Sequence, residues 1–156
     1  MKLLLILSMS IFTILFAGTI EKVHPSIKLI NNAKIHTKAI SPKELKEHID
    51  DEDEDLVMLD IREILERSEG QIFTENAYAI TRGNLELNVL HKIKNTDALV
   101  VTYCRAGIKA ILAAQTLQWL GYKNVRYLDG GLRAWANAGY PIETGLGITR
   151  LSNELD

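Results

Sequence analysis

The chain reads as an α/β protein with a parallel sheet, and three observations lead there. From residue 35 onward short apolar runs alternate with helical patterns, as parallel strands joined by crossover helices require. Two of those runs, Leu56-Val57-Met58-Leu59 and Ala98 to Tyr103, are almost continuously apolar, which suits strands buried on both faces. The length of 156 residues, with 47% hydrophobic and 24% charged residues, fits one core plus a short extension and is too little for two full domains.

Each element has its own signal. Ile35 to Ile40 is a candidate first strand. Ser41-Pro42-Lys43-Glu44 supplies a helix N-cap, a proline at the first helical position and a capping-box glutamate; Leu45 and Ile49 then share one apolar face, and the helix should end near Asp50. Leu56 to Leu59 is the next strand and delivers Asp60 and Arg62 to its carboxyl end, with a short helix expected to about Ser68. Ala77 to Ile80 is a weaker strand, Leu85 to Ile93 a helix, and Ala98 to Tyr103 the strongest strand. Ile108, Ile111, Leu112, Leu117 and Leu120 mark a helix that Gly121 closes. Val125 to Leu128 is a last strand, Asp129-Gly130-Gly131 a turn, and Leu132 to Ala138 a terminal helix stopped by Gly139. Residues 143–156 are expected to be tail.

The first residues differ in character. Lys2 followed by an apolar run from Leu3 to Ala17 matches the hydrophobic core of a secretory signal and is short for a membrane span. Residues 1–18 are therefore read as a signal peptide or N-terminal membrane anchor, and the protein is expected to be exported, periplasmic or tethered to the outer side of the inner membrane. Leu15 and Phe16 make a poor cleavage site. Residues 19–34, with Glu21, Lys22, His24, Pro25 and Ser26 among single apolar residues, read as a linker, and the folded domain is placed at 35–142.

Charge and composition exclude several functions. The 18 basic and 20 acidic residues are interspersed, giving a net charge of -2 and no field to hold a nucleic-acid backbone. The acidic run Asp50 to Asp55 lacks the central glycine and closing glutamate of a calcium loop and is expected to be a solvated turn. His24, His36, His48 and His91 have no metal-ligand spacing.

Chemistry concentrates at the only cysteine, Cys104. The segment Cys104-Arg105-Ala106-Gly107-Ile108-Lys109 joins the strongest strand to a helix, so Cys104 should lie at the carboxyl edge of the sheet, where open α/β folds bind ligands. A loop curling into a helix N-terminus aims backbone N–H groups at one point, with Gly107 relieving the unusual backbone angles. A thiolate there is favoured by those amides, by the helix dipole and by Arg105 and Lys109. The plain alternative is a small buried apolar residue.

Three segments together resemble the rhodanese-like domains, the family of single-domain thiosulfate sulfurtransferases. They are Leu59-Asp60-Ile61-Arg62 with Glu63, Glu66 and Gly70-Gln71-Ile72; the Cys104 to Lys109 loop; and Leu128-Asp129-Gly130-Gly131-Leu132-Arg133-Ala134-Trp135. The resemblance runs from about Ile35 to Pro141. It implies a five-stranded, mostly parallel sheet flanked by helices on both faces, and a Cys104 that accepts a sulfane sulfur as a persulfide and passes it on. By the same resemblance the donor is a small molecule such as thiosulfate or polysulfide, and the acceptor is cyanide, a thiol or a protein. Cys104 is the implied catalytic residue, Arg105, Ala106, Gly107, Ile108 and Lys109 bind substrate, and no metal or organic cofactor is needed. The six-residue loop is similar to that of the sulfurtransferases, whereas the related phosphatases have one more residue between cysteine and arginine.

Departures from the family pattern are Gln71 where histidine is common, Lys109 where arginine is common, and Ala110 where a hydroxyl residue often stands. Lysine keeps the charge but loses the two-pronged contact of arginine, which leaves the donor less tightly specified. Asp60 and Arg62 either brace the cysteine loop or form an exposed pair with Arg62 facing Glu66; neither is assigned chemistry. Asp129, Gly130 and Gly131 read as turn residues and Trp135 as core. Two other readings stay open: a non-enzymatic persulfide carrier that serves a partner protein, and an oxyanion reductase or phosphatase on the same scaffold.

Overall fold

The structure, a computed structural model, describes residues 24–150. The export segment assigned to residues 1–18 lies outside the described residues. Five parallel strands form one sheet: β1 (Lys38–Ile40), β2 (Leu56–Asp60), β3 (Ala77–Ala79), β4 (Leu99–Tyr103) and β5 (Asn124–Leu128), in the order β1-β5-β4-β2-β3. Register follows from the two apolar runs, Leu56 lying beside Leu99 and Asp60 beside Tyr103. Strand β4 is central, and the chain turns to β5 on one side after β2 and β3 on the other. In open α/β sheets such a change of direction marks the carboxyl edge, here that of β4, where ligands bind.

Side-chain alternation divides the core. Val57, Leu59 and Val100 face α1 (Pro25–His36), α3 (Leu85–Lys92) and α4 (Ile108–Trp119), while Leu56, Met58, Leu99, Val101 and Tyr103 face α2 (Pro42–Asp50) and α5 (Gly131–Asn137). Helix α2 starts with the Ser41 hydroxyl accepting the Glu44 N–H at 3.1 Å and Pro42 in the first turn, while the Glu44 carboxylate, expected to close a capping box, pairs with Arg126 instead. The acidic run forms a turn in which the Asp55 N–H donates to Asp53 and His48 meets the same carboxylate at 2.7 Å.

Three boundaries depart from the sequence reading. The segment read as linker carries α1, which begins at Pro25 and packs against α4 with Ala33 fully buried and Ile30 beside it. His24 caps that helix, its ring nitrogen accepting the Ser26 N–H. The helix was obscured because Ile27, Leu29 and Ile35 remain exposed, so the apolar residues mark no single face. In consequence β1 starts at Lys38, after the helix, and Ile35 is in α1. The expected helix before Ser68 is a 3-10 turn, Ile64–Glu69.

Beyond residue 142 the expected tail is instead a small antiparallel hairpin, β6 (Ile142–Thr144) with β7 (Gly147–Thr149). Ile142 is buried, the Trp135 indole donates to the Pro141 carbonyl at 2.8 Å, and Gln71 and Glu143 exchange backbone hydrogen bonds at 2.8 Å. Among the described residues, no helix is long and apolar enough to cross a membrane.

Candidate active site

Cys104 follows β4 directly and is only 4% exposed. Its sulfur accepts the Gly107 N–H at 3.2 Å. That contact depends on Gly107 holding φ +89°, a left-handed geometry from which α4 departs and which a side chain would strain.

The opposite wall of the loop comes from the third segment. Leu132 N–H donates to the Cys104 carbonyl at 2.9 Å and Arg133 N–H to the Arg105 carbonyl at 3.0 Å. This leaves no room at Gly131: a methyl group there would stand 2.3 Å from the Cys104 oxygen and 2.7 Å from the Gly107 nitrogen. Gly131, read from sequence as a turn residue, is thus the seat on which the cysteine loop rests. Its signal was the Gly130-Gly131 pair: both hold positive φ, +67° and +61°, and Gly131 must in addition leave room for the loop.

Asp60 and Arg62 are neither of the arrangements expected. Both are buried, and the Arg62 guanidinium grips Asp60 through Nε at 3.0 Å and a terminal nitrogen at 2.6 Å. Its other contacts are the carbonyls of Glu66 at 2.9 Å and Gly70 at 2.6 Å, and it lies 5.5 Å over the Tyr103 ring. Burial opposes the charge, but the hydrogen bonds and charge of Asp60 outweigh it and raise the guanidinium above its ordinary value. Burial, reinforced by the Asp60 charge, pushes the Tyr103 phenol up, so it stays neutral. Arg62 therefore braces the 3-10 turn, and only through that turn the loop.

The turn in turn meets the loop's cations. Lys109 Nζ lies 3.0 Å from Glu66, and Arg105 lies 3.1 Å from Glu69. Glu66 also accepts the Glu63 N–H at 2.9 Å. That bond, followed by the one from Lys109, holds its carboxyl below the usual range, while the bond to Glu66 raises the Lys109 ammonium. Of the residues expected to bind substrate, Gly107 meets the sulfur through its N–H, while Arg105 and Lys109 are already paired with Glu69 and Glu66. The carboxylates that pair them were missed because Glu66 and Lys109 are 43 residues apart. Gln71, at the position where the family commonly has histidine, is engaged elsewhere, its amide donating to Glu143 at 2.8 Å. Ala110 is buried, and among the described residues no cluster of side chains suits a metal ion.

The fold is a parallel α/β sheet with a near-buried cysteine at its central carboxyl edge, seated at a helix start. The rhodanese-like domain profile matches residues 41–138, and the chain belongs to that family. A tRNA uridine(34) hydroxylase of Cytophaga hutchinsonii is 35% identical over 116 residues, 72% of this chain; the match spans 36% of the hydroxylase's own length. A sulfurtransferase of Allochromatium vinosum is 35% identical over 57% of this chain and 79% of its own. Among solved structures, a Rhodopseudomonas palustris protein of unknown function, a "possible tyrosine phosphatase", superposes with a TM-score of 0.68 at 27% identity, covering 78% of this chain and 96% of that one.

Proposed function

We propose that this chain is a sulfurtransferase that moves sulfane sulfur from a small donor such as thiosulfate to cyanide or a thiol through a persulfide on Cys104. The observation that carries the reading is the Cys104 sulfur seated 3.2 Å from the Gly107 N–H at the carboxyl edge of β4. In the first half-reaction the Cys104 thiolate attacks the outer sulfur of the donor. The new S–S bond forms as the old one breaks, and the electron pair leaves on sulfite. In the second, the acceptor attacks the outer sulfur of the persulfide, takes it as thiocyanate or as a new persulfide, and returns the Cys104 thiolate. No external oxidant or reductant is consumed, and the two steps give ping-pong kinetics. The Gly107 amide supports the Cys104 sulfur as the attacking thiolate and as the leaving thiolate of the second step.

Cys104→Ser is expected to lose steady turnover with thiosulfate and cyanide while keeping the wild-type unfolding midpoint, because the alcohol forms no persulfide. Wild-type turnover in that variant would defeat the reading. A carrier serving only a partner protein would give a wild-type persulfide without turnover, and a phosphatase would instead release phosphate from an aryl phosphate. Export to the outer side of the inner membrane is part of the same proposal, resting on Lys2 and the apolar run to Ala17. Fractionation that leaves the full-length chain in the soluble cytoplasm would refute it.

A further inference from the structure

A dianion approaching a thiolate needs positive charge at the mouth, yet this mouth is not positive. Arg105 is paired with Glu69 and Lys109 with Glu66, and the Glu63 charge also acts on Lys109. With Arg67 on the same 3-10 turn, three cations thus face three carboxylates. On the α5 side Arg133 and Asp129 are both exposed and contribute one charge of each sign. Of the other cations at this edge, Arg62 is buried against Asp60 and Arg82 is paired with Glu86. The elements that carry the ion pairs also expose apolar side chains, Ile64 and Leu65 on the 3-10 turn and Ile108 at the start of α4.

We infer that Glu66 and Glu69 set donor specificity, making the site select singly charged organic sulfane-sulfur donors, such as organic persulfides and thiosulfonates, over inorganic dianions. The inference rests on the sulfur-transfer reading above. Each carboxylate cancels a cation that would offset negative charge on the donor, and the effect on a dianion is about twice that on a monoanion. An organic substituent in place of a charged oxygen lowers the repulsion and gives Ile64, Leu65 and Ile108 something to contact.

Methanethiosulfonate tests this, because it is thiosulfate with a methyl group in place of one charged oxygen. Sulfur transfer to Cys104 from it forms the same persulfide and releases methanesulfinate, so charge and atoms balance in both cases. Persulfide formation on full-length protein is followed by rapid quench and intact mass for both donors, in wild type, Glu66→Gln, Glu69→Gln and the double variant. Glutamine retains an oxygen to accept the Glu63 N–H, so the turn keeps its cap. Wild type is expected to react faster with methanethiosulfonate. Each substitution should raise kcat/KM for thiosulfate by about three- to tenfold, with a smaller change for methanethiosulfonate, and high salt should shrink the difference. Equal changes for both donors would mean that the carboxylates act only on structure and would overturn the inference, as would a wild-type preference for thiosulfate. Failure of both donors to sulfurate wild-type Cys104 would instead remove the sulfur-transfer reading, and the inference with it.

Discussion

Replacing Gly131 with alanine probes the seat of the cysteine loop. The added methyl carbon would lie 2.3 Å from the Cys104 carbonyl oxygen, with the Gly107 and Ala106 nitrogens at 2.7 and 3.0 Å. All three are backbone atoms, so no side chain can rotate away. A comfortable carbon–oxygen contact is about 3.3 Å, so the loop must retreat by about 1 Å. A shift of that size in a reacting group costs about a hundredfold in rate. Overpacking adds about 1–3 kcal/mol of destabilisation, and φ of +61° costs an L-residue about 1–2 kcal/mol more. Gly139 is the control. It has φ +75° with nothing within 4 Å of the added carbon, so Gly139→Ala carries only the conformational cost. Denaturant midpoints and single-turnover persulfide formation on the two variants give the comparison. Gly131→Ala should be less stable than Gly139→Ala by about 1–3 kcal/mol and slower by about a hundredfold. Equal stability and equal rates would refute the role given to Gly131.

Asp60→Ala strands the buried Arg62 charge and should cost about 3–5 kcal/mol, read from denaturant unfolding; a loss below about 1 kcal/mol would show the pair to be dispensable. Lys109→Glu places a second carboxylate against Glu66, so it should slow thiosulfate transfer and expose the 3-10 turn to faster amide exchange, whereas Lys109→Arg should retain both properties. Glu66 has its folded value held below the ordinary 4.5, first by the Glu63 N–H and then by Lys109, so its ionisation contributes stability above that pH and loses it as pH falls through the folded value. The stability gap between wild type and Glu66→Gln should therefore narrow from pH 7 to pH 3, and a gap that widens would contradict the sign.

What could be read from sequence was local. Strands β2 and β4 were plain because both their faces are buried, which leaves Leu56 to Leu59 wholly apolar and Ala98 to Tyr103 interrupted only by Thr102. Helix α2 was plain because Ser41, Pro42 and Glu44 are adjacent. The Cys104 loop was legible for the same reason, since strand, nucleophile, glycine and helix follow one another. Helix α1 was hidden because its stability comes from α4, a partner far along the chain, rather than from a clean apolar stripe. The closing hairpin was hidden because its strands are three residues long and β7 is wholly exposed, so Gly145 and Gly147 read as loop. Around the site, the pairing of Arg105 and Lys109 and the pressure of Gly131 on the loop are tertiary facts. Charge type and glycine were visible, but their partners were not.

The central claim is tested most directly by the intact mass of purified full-length protein after incubation with a sulfane-sulfur donor, followed by peptide mapping. Cys104 is the only cysteine, so the account predicts a gain of one sulfur atom located on that residue, removed by cyanide or thiol and absent in Cys104→Ser. A protein that keeps its original mass with both thiosulfate and methanethiosulfonate, while Cys104 still reacts with an alkylating agent, would contradict it.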